Sequence, residues 1–330
     1  MKDYVLEENS KRASEYKKEE SVENYLRFIN KELSEIEAYQ NGLEELPLIF
    51  IFGLPRSGTT LTYQLVANGM DLGYINNLMA RFWLAPQTGI MLSKSILKEK
   101  KDFSFQSDYG KSVTIEGVHE FAYFWQHWLH MNKIDDMLDF SGFKTNIDEK
   151  ELRKIILNMQ HTFGKGMVFK TNYVANLLNQ FAAIFKNALF IYVKRDINDV
   201  ARSILKARKD YFNDIAEWWA TYCPSYNEIS SSSYDIQIAR QVVELEKVYD
   251  HKIQELSKER YIIIDYDKLC SNPQKFLYEV QTKVKINTGY EIPVHENIPE
   301  SFPFRKQSST ISEEEQNLLE AIKKERECIR

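Results

Sequence analysis

Between Gly53 and Thr60 the chain reads Gly-Leu-Pro-Arg-Ser-Gly-Thr-Thr. The apolar run Leu48 to Phe52 just before it predicts a buried strand that hands over to a helix starting near Thr59. A tight loop of this kind turns several backbone N–H groups, and the positive helix end, toward one point. That geometry cradles an anion, and phosphate suits it best. The spacing Gly53-x4-Gly58-Thr59-Thr60 comes close to the nucleotide-triphosphate loop G-x-x-x-x-G-K-[ST]. Thr59, however, stands where that loop has the lysine that reaches the β- and γ-phosphates. The mobile cation here is Arg56, inside the loop. The expected ligand is therefore a phosphate-bearing nucleotide without a γ-phosphate.

Two further strand ends carry cations. Ala188 to Asp196, ALFIYVKRD, is a second near-continuous apolar strand ending in charge, with a helix predicted to follow. Asp196 suits the N-cap of that helix, and Asp199 favours its first turn. Arg195 thus sits at the carboxyl end of a strand, where open α/β sheets bind ligands. A guanidinium fork matches phosphate better than an ammonium does. Ser203 falls within the first turns of the helix. The third segment is Met167 to Asn172, MVFKTN, a short strand ending at Lys170, with a helix beginning near Tyr173.

With these three segments in view, the chain resembles the sulfotransferases that use 3′-phosphoadenosine-5′-phosphosulfate (PAPS). Their 5′-phosphosulfate loop is similar to Pro55-Arg56-Ser57-Gly58-Thr59-Thr60. The resemblance implies that Arg195 and Ser203, eight positions apart, grip the 3′-phosphate. It implies that Lys170, 25 positions before Arg195, contacts the oxygen bridging phosphate and sulfate, stabilising charge that grows there as the bond breaks. Near the C-terminus, Phe304-Arg305-Lys306-Gln307 looks like the family's Arg-Lys-Gly loop over the 3′-phosphate, which makes Arg305 and Lys306 donor contacts. Gln307 replaces the glycine and limits close backbone approach; a basic linker before the last helix explains the same residues. The segment from Tyr261 to Pro273 also resembles the family and is read as sheet packing. Together the similar points span residues 47 to 285.

The proton acceptor is the open position. Where cytosolic members place a histidine, this chain has Asn172, an amide that takes no proton near neutral pH. Membrane-linked and bacterial relatives often use a glutamate after the phosphosulfate loop. The one acid–histidine cluster there is Glu116-Gly-Val-His119-Glu120, followed by Tyr123, Phe124, Trp125 and Trp128. If a helix begins by His119, Glu116 lies at its opening turn and faces a cleft. Glu116 is the leading candidate base, with His119 and Glu120 as alternatives.

These residues need an α/β scaffold. The expected fold is a three-layer, P-loop-like domain, with a parallel sheet of four or five strands and helices on both faces. Residues 1–46 read as a charged helical segment packed on the domain, its apolar stripe formed by Val22, Tyr25, Leu26, Ile29 and Leu33. Residues 47–330 form the catalytic domain, with a helical, aromatic acceptor-side insertion at about 78–160. Asp71 to Asn76 suggests a short strand and Tyr234 to Ser257 a long helix.

Composition excludes several classes. Of 330 residues, 43% are hydrophobic and 28% charged, which is ordinary globular usage. A net charge of −5 argues against nucleic acid as a partner. Cys223, Cys270 and Cys328 are too scattered for a metal motif or a disulfide framework, which favours a reducing compartment. No signal-type segment and no membrane-length apolar run is present, so the expectation is a cytoplasmic, bacterial-style enzyme. The implied reaction is transfer of the sulfuryl group of PAPS to a hydroxyl acceptor, a sugar, phenol or other alcohol, by in-line displacement without a metal. A nucleotide or small-molecule kinase with a degenerate loop, or a non-catalytic nucleotide-binding protein, are the alternatives.

Overall fold

The computed structural model describes residues 9–98, 101, 104–107, 109–110, 112–304 and 310–328. Five parallel strands form one sheet: β1 (Leu48–Gly53), β2 (Gly73–Tyr74), β3 (Met167–Lys170), β4 (Ala188–Lys194) and β5 (Tyr261–Asp265). Their spatial order is β2-β3-β1-β4-β5, so the phosphate-loop strand is central.

The near-continuous hydrophobicity of β1 and β4 follows from burial on both faces. Leu48, Phe50 and Phe52 point into one core, while Ile49 and Ile51 point into the other. β4 alternates in the same way, with Ala188, Phe190 and Tyr192 opposite Leu189, Ile191 and Val193. On the first face an aromatic ladder crosses three strands. Phe50 stacks on Phe169 at 5.9 Å and on Phe190 at 5.7 Å. Phe52 and Tyr192 lie nearly parallel at 5.3 Å. These are directly paired residues in the register, so cross-strand packing holds the strand ends level. On the second face lie the helices Thr59–Gly69 and Pro273–Thr288, whose Leu65, Val66, Phe276 and Leu277 fill that core.

Helix ends follow local chemistry. Asp196 caps Ile197–Phe212 by accepting from Asn198 N and Asp199 N. Asn272 caps Pro273–Thr288, with Pro273 in the first turn where its missing N–H costs nothing. The segment expected as a strand near Asp71 shrinks to Gly73–Tyr74. In the stretch read as mostly helical, helices cover Pro86–Leu97, Ala122–Trp128, Ile134–Met137 and Glu149–Phe163. Between Leu97 and Ala122 the described residues carry turns and one isolated bridge, Asn76 to Val118. Glycines and serines there favour turns over helix.

The N-terminal helix Glu20–Ile36 is turned differently from its apolar stripe. Glu23 and Asn30 face inward, while Val22 and Tyr25 are 43% and 65% exposed. Specific partners override the pattern. Asn30 donates to Arg81 O at 2.7 Å and accepts from Leu84 N at 2.8 Å. At the end of this helix Glu37 accepts from Gln87 N, and Gln87 Nε2 donates to Ala38 O. No helix among the described residues is long and apolar enough to cross a membrane.

Burial pushes the Glu37 carboxyl from 4.5 up to about 7. The folded state therefore holds that proton more tightly than the unfolded chain. The stability it contributes is full below pH 4.5 and is lost as pH rises through about 7. Glu37→Gln keeps the acceptor for Gln87 N and carries no titrating proton. Denaturant titrations should find the variant more stable than wild type near pH ~8, with a flatter pH dependence across that window. Parallel curves for the two proteins would remove Glu37 as the cause.

Candidate active site

Four strand ends meet at one cleft of about 1210 Å³. β1 supplies the loop Pro55 to Thr60, β3 ends at Lys170, Arg195 follows β4, and Tyr266 follows β5. The volume lies just above the ~300–1,000 Å³ usual for small-molecule sites.

The loop is held by a tight turn and by close approaches at two glycines. Ser57 N donates to Leu54 O at 3.1 Å, and the backbone takes positive φ at Arg56 (70°) and Gly58 (102°). A Cβ on Gly53 would stand 2.5 Å from Val193 O, and one on Gly58 would stand 2.2 Å from the Tyr266 ring. The helix Thr59–Gly69 begins immediately after, with its free N–H groups at the cleft. Ser57 is buried and its Oγ has no hydrogen-bond partner among the described residues, a hydroxyl in reserve within the loop.

The loop and strand-end cations lie against one another. Arg56 Nε donates to Ser203 Oγ at 3.0 Å, and Arg195 donates to Arg56 O at 3.3 Å. Arg195 is flanked by Tyr266 at 4.8 Å and Phe304 at 5.9 Å, with Asp199 of the following helix at 3.5 Å. Stacking and a carboxylate thus fix the guanidinium plane. Arg56 lies over the Tyr109 ring at 5.1 Å, and the Tyr109 hydroxyl donates to Asp210. Ser203 and Ser57 stand behind the cleft wall, while Pro55, Arg56, Gly58, Thr59, Thr60 and Arg195 line it. Arg305 and Lys306 lie outside the described residues.

On the other side Lys170, nearly buried, donates to Thr60 Oγ1 at 3.2 Å and pairs with the Glu120 carboxylate. Glu120 lines the cleft and its side chain is 44% exposed. The neighbouring candidates fare differently. The helix after this cluster starts at Ala122, three residues later than expected, because Val118 is drawn into its bridge with Asn76 and His119 N donates to Ile75 O. Glu116 consequently falls in a turn, 7% exposed and not among the cleft-lining residues; its carbonyl accepts from Tyr74. His119 lines the cleft but spends Nδ1 on Phe121 N at 2.9 Å. Phe124 and Trp125 are core, as an aromatic run often is.

Several cleft residues escaped the sequence reading. The sequence reads Tyr266 as sheet packing, yet it presses on the loop beside Gly58 and lies under the Arg195 guanidinium; its place after a strand end is the signal for this. Lys18 and Glu23 are brought in from the N-terminal segment. Lys18 donates to the Tyr123 hydroxyl at 2.6 Å, and that hydroxyl in turn bonds Glu23. Burial and the Glu23 carboxylate hold the Tyr123 phenol well above its usual range. A contact across 100 residues leaves no local trace. Among the described residues, no group of His, Cys, Asp and Glu is arranged to hold a metal ion.

Comparison with known proteins gives one family. The model of the Sulfotransferase family matches residues 47–288. Among solved structures, the chain is similar to sulfotransferase STF1 from Mycobacterium tuberculosis H37Rv, with 11% identity, 92% of this chain and 76% of that one covered, and a TM-score of 0.47. It is also similar to sulfotransferase STF9 from Mycobacterium avium, with 13% identity, coverage of 80% and 68%, and a TM-score of 0.49. No curated protein sequence matches.

The steric lock between loop and strand end is open to a double-mutant cycle. Gly58→Ala should cost about 1–3 kcal/mol from the positive φ alone, and more from overlap with Tyr266. Adding Tyr266→Ala should recover the overlap part, leaving the two losses less than additive in denaturant unfolding. Strict additivity would place the ring away from Gly58.

Proposed function

The chain belongs to the sulfotransferase family, and on that premise we propose that it moves the sulfuryl group of PAPS to a hydroxyl acceptor by in-line displacement at sulfur. The observation that carries this reading is the meeting of Lys170, Thr60 and Glu120 at the start of the helix Thr59–Gly69. A cation, a hydroxyl and a carboxylate stand together at the start of the helix that follows the loop.

The donor fits the loop. A backbone concavity beside Gly58, the reserve hydroxyl of Ser57 and the helix N-terminus suit a 5′-phosphosulfate. Arg195, oriented by Tyr266, and Ser203, behind Arg56, suit the 3′-phosphate. In the transfer step Glu120 takes the acceptor's hydroxyl proton while the acceptor oxygen forms its bond to sulfur. The bond from sulfur to the bridging oxygen breaks, and its electron pair leaves with the 5′-phosphate. Lys170 and Arg56 oppose the charge that develops on that oxygen. The ion pair of Lys170 with Glu120 supports this assignment, because a lysine drawn onto the donor releases the carboxylate toward the acceptor. Glu120 therefore replaces Glu116 as the preferred base.

Donor recognition is tested at Arg195. Arg195→Ala removes a charge-assisted fork and should weaken binding of adenosine 3′,5′-bisphosphate by about 2–3 kcal/mol, roughly thirty- to over a hundredfold. Adenosine 5′-phosphosulfate, without the 3′-phosphate, should bind both proteins alike in calorimetry. Equal bisphosphate affinity would reject the 3′-phosphate assignment.

The base is tested by paired carboxamides. Glu120→Gln should lower kcat by roughly a hundredfold or more with bisphosphate affinity intact, and Glu116→Gln should cost far less. The reverse ranking, measured by sulfate transfer from labelled PAPS, would return the role to Glu116.

A further inference from the structure

The cleft carries accessible apolar side chains that the transfer step does not use. Val113, Ile115 and Val22 all line it, and they are 83%, 49% and 43% exposed. Side chains that line a cavity and still meet water stand where it opens. A single exposed aliphatic is ordinary on a protein surface. Three along one cleft, drawn from two distant segments, form a patch.

Local contacts tie both segments to the reacting groups. A Cβ on Gly110 would stand 3.5 Å from Glu120 Oε1 and 3.8 Å from Lys170 Nζ, so the chain passes beside that pair. Val113 follows three residues on, within about 11 Å, because three residues reach no further. Asn77 holds this loop by donating from Nδ2 to Ser112 O at 3.0 Å and to Thr114 O at 2.6 Å, the residues on either side of Val113. On the other wall, Tyr123 lies three residues after Glu120, and its hydroxyl bonds Glu23, the neighbour of Val22. The segment Asn77 to Arg81 joins the two walls. Its Leu78 lines the cleft, and Arg81 O accepts from Asn30 Nδ2, on the helix of Val22, at 2.7 Å. Glu19 and Arg81 also line the cleft, but both are exposed and keep their charges in water.

A small polar acceptor would leave Val22, Val113 and Ile115 in water, whereas an apolar substituent covers them on its way out. We propose that the acceptor is an amphiphilic alcohol, its hydroxyl at Glu120 and an extended apolar chain leaving past Val113, Ile115 and Val22. The proposal rests on the sulfotransfer reading, which puts the acceptor hydroxyl at Glu120. Continuity with the cleft selects this occupant over a lipid surface or a second copy, since the patch begins beside the Lys170–Glu120 pair and not on an outer face.

The test is a homologous series from 1-butanol to 1-dodecanol, each below its solubility limit, with labelled PAPS as donor. kcat/KM should rise about two- to fourfold per methylene, as expected for burying one CH2 partly or fully. The rise should level off at roughly eight to ten carbons, which cover such a distance at about 1.5 Å per bond. Val113→Asn combined with Ile115→Asn, both at exposed positions, should lower kcat/KM for 1-octanol about tenfold and flatten the series, with bisphosphate affinity as in wild type. A flat wild-type series would overturn the proposal, as would a rising one that the double variant leaves unchanged. If the flat series comes with dimerisation in sedimentation, or with flotation on phosphatidylcholine vesicles, that the double variant abolishes, the patch belongs to a second copy or to a lipid surface. Donor-free binding separates the proposal from the reaction: saturation-transfer NMR should detect 1-octanol and not 1-butanol. Binding of 1-octanol that the double variant loses, without any transfer from PAPS, would uphold the apolar opening and reject sulfotransfer.

Discussion

The position of everything in the cleft depends on how closely one loop can approach its neighbours. Gly53 lies where any side chain would strike the Val193 carbonyl, and Gly58 where it would strike the Tyr266 ring. Packed this tightly, the loop has one seat, between the ends of β4 and β5. The same contacts place the Arg56 carbonyl within reach of Arg195 and the Arg56 side chain against Ser203. A steric constraint on two small residues thereby becomes an electrostatic arrangement of two large ones.

Charge compensation is the second organising element. Lys170 is nearly buried, and an unpaired ammonium there would be costly. Glu120 and Thr60 surround it, and the carboxylate reaches solvent on its other side. A half-exposed partner is easier to part from than a buried one, because water can take its place. The pair therefore balances the lysine while leaving it available to another anion.

The central sheet was legible because both-face burial forces long apolar runs, and each run ended in the residue that reaches the cleft. Lys170 and Arg195 were found in that way, and Asp196 was recognisable from capping chemistry alone. Tyr266 obeyed the same rule but was overlooked, since a tyrosine at a strand end also reads as packing. The segment Glu116 to Glu120 was legible as a group, but its order toward the cleft was not: His119 and Glu120 line the cleft and Glu116 does not. The reason is geometric: pairing of Val118 with Asn76 delays the helix and rotates Glu116 inward. The N-terminal helix misled for a related reason. Its apolar stripe was visible, but the hydrogen bonds of Asn30 and the Glu23–Tyr123 contact join distant segments, and no local pattern announces them.

The distribution of cleft residues along the chain bears on how the protein reaches its native state. The wall draws on Lys18 and Glu23, on Lys170 and Asn176, on Arg195, on Trp218 and on Tyr266. No hairpin or single crossover unit contains enough of them to form the cavity alone. Contacts of such high sequence separation incur their loop-closure entropy before they are rewarded. The aromatic ladder ties neighbouring strands of the sheet, whereas the cavity wall is complete only with the N-terminal segment docked. Until then Trp218, Tyr173 and the strand ends present apolar surface to solvent.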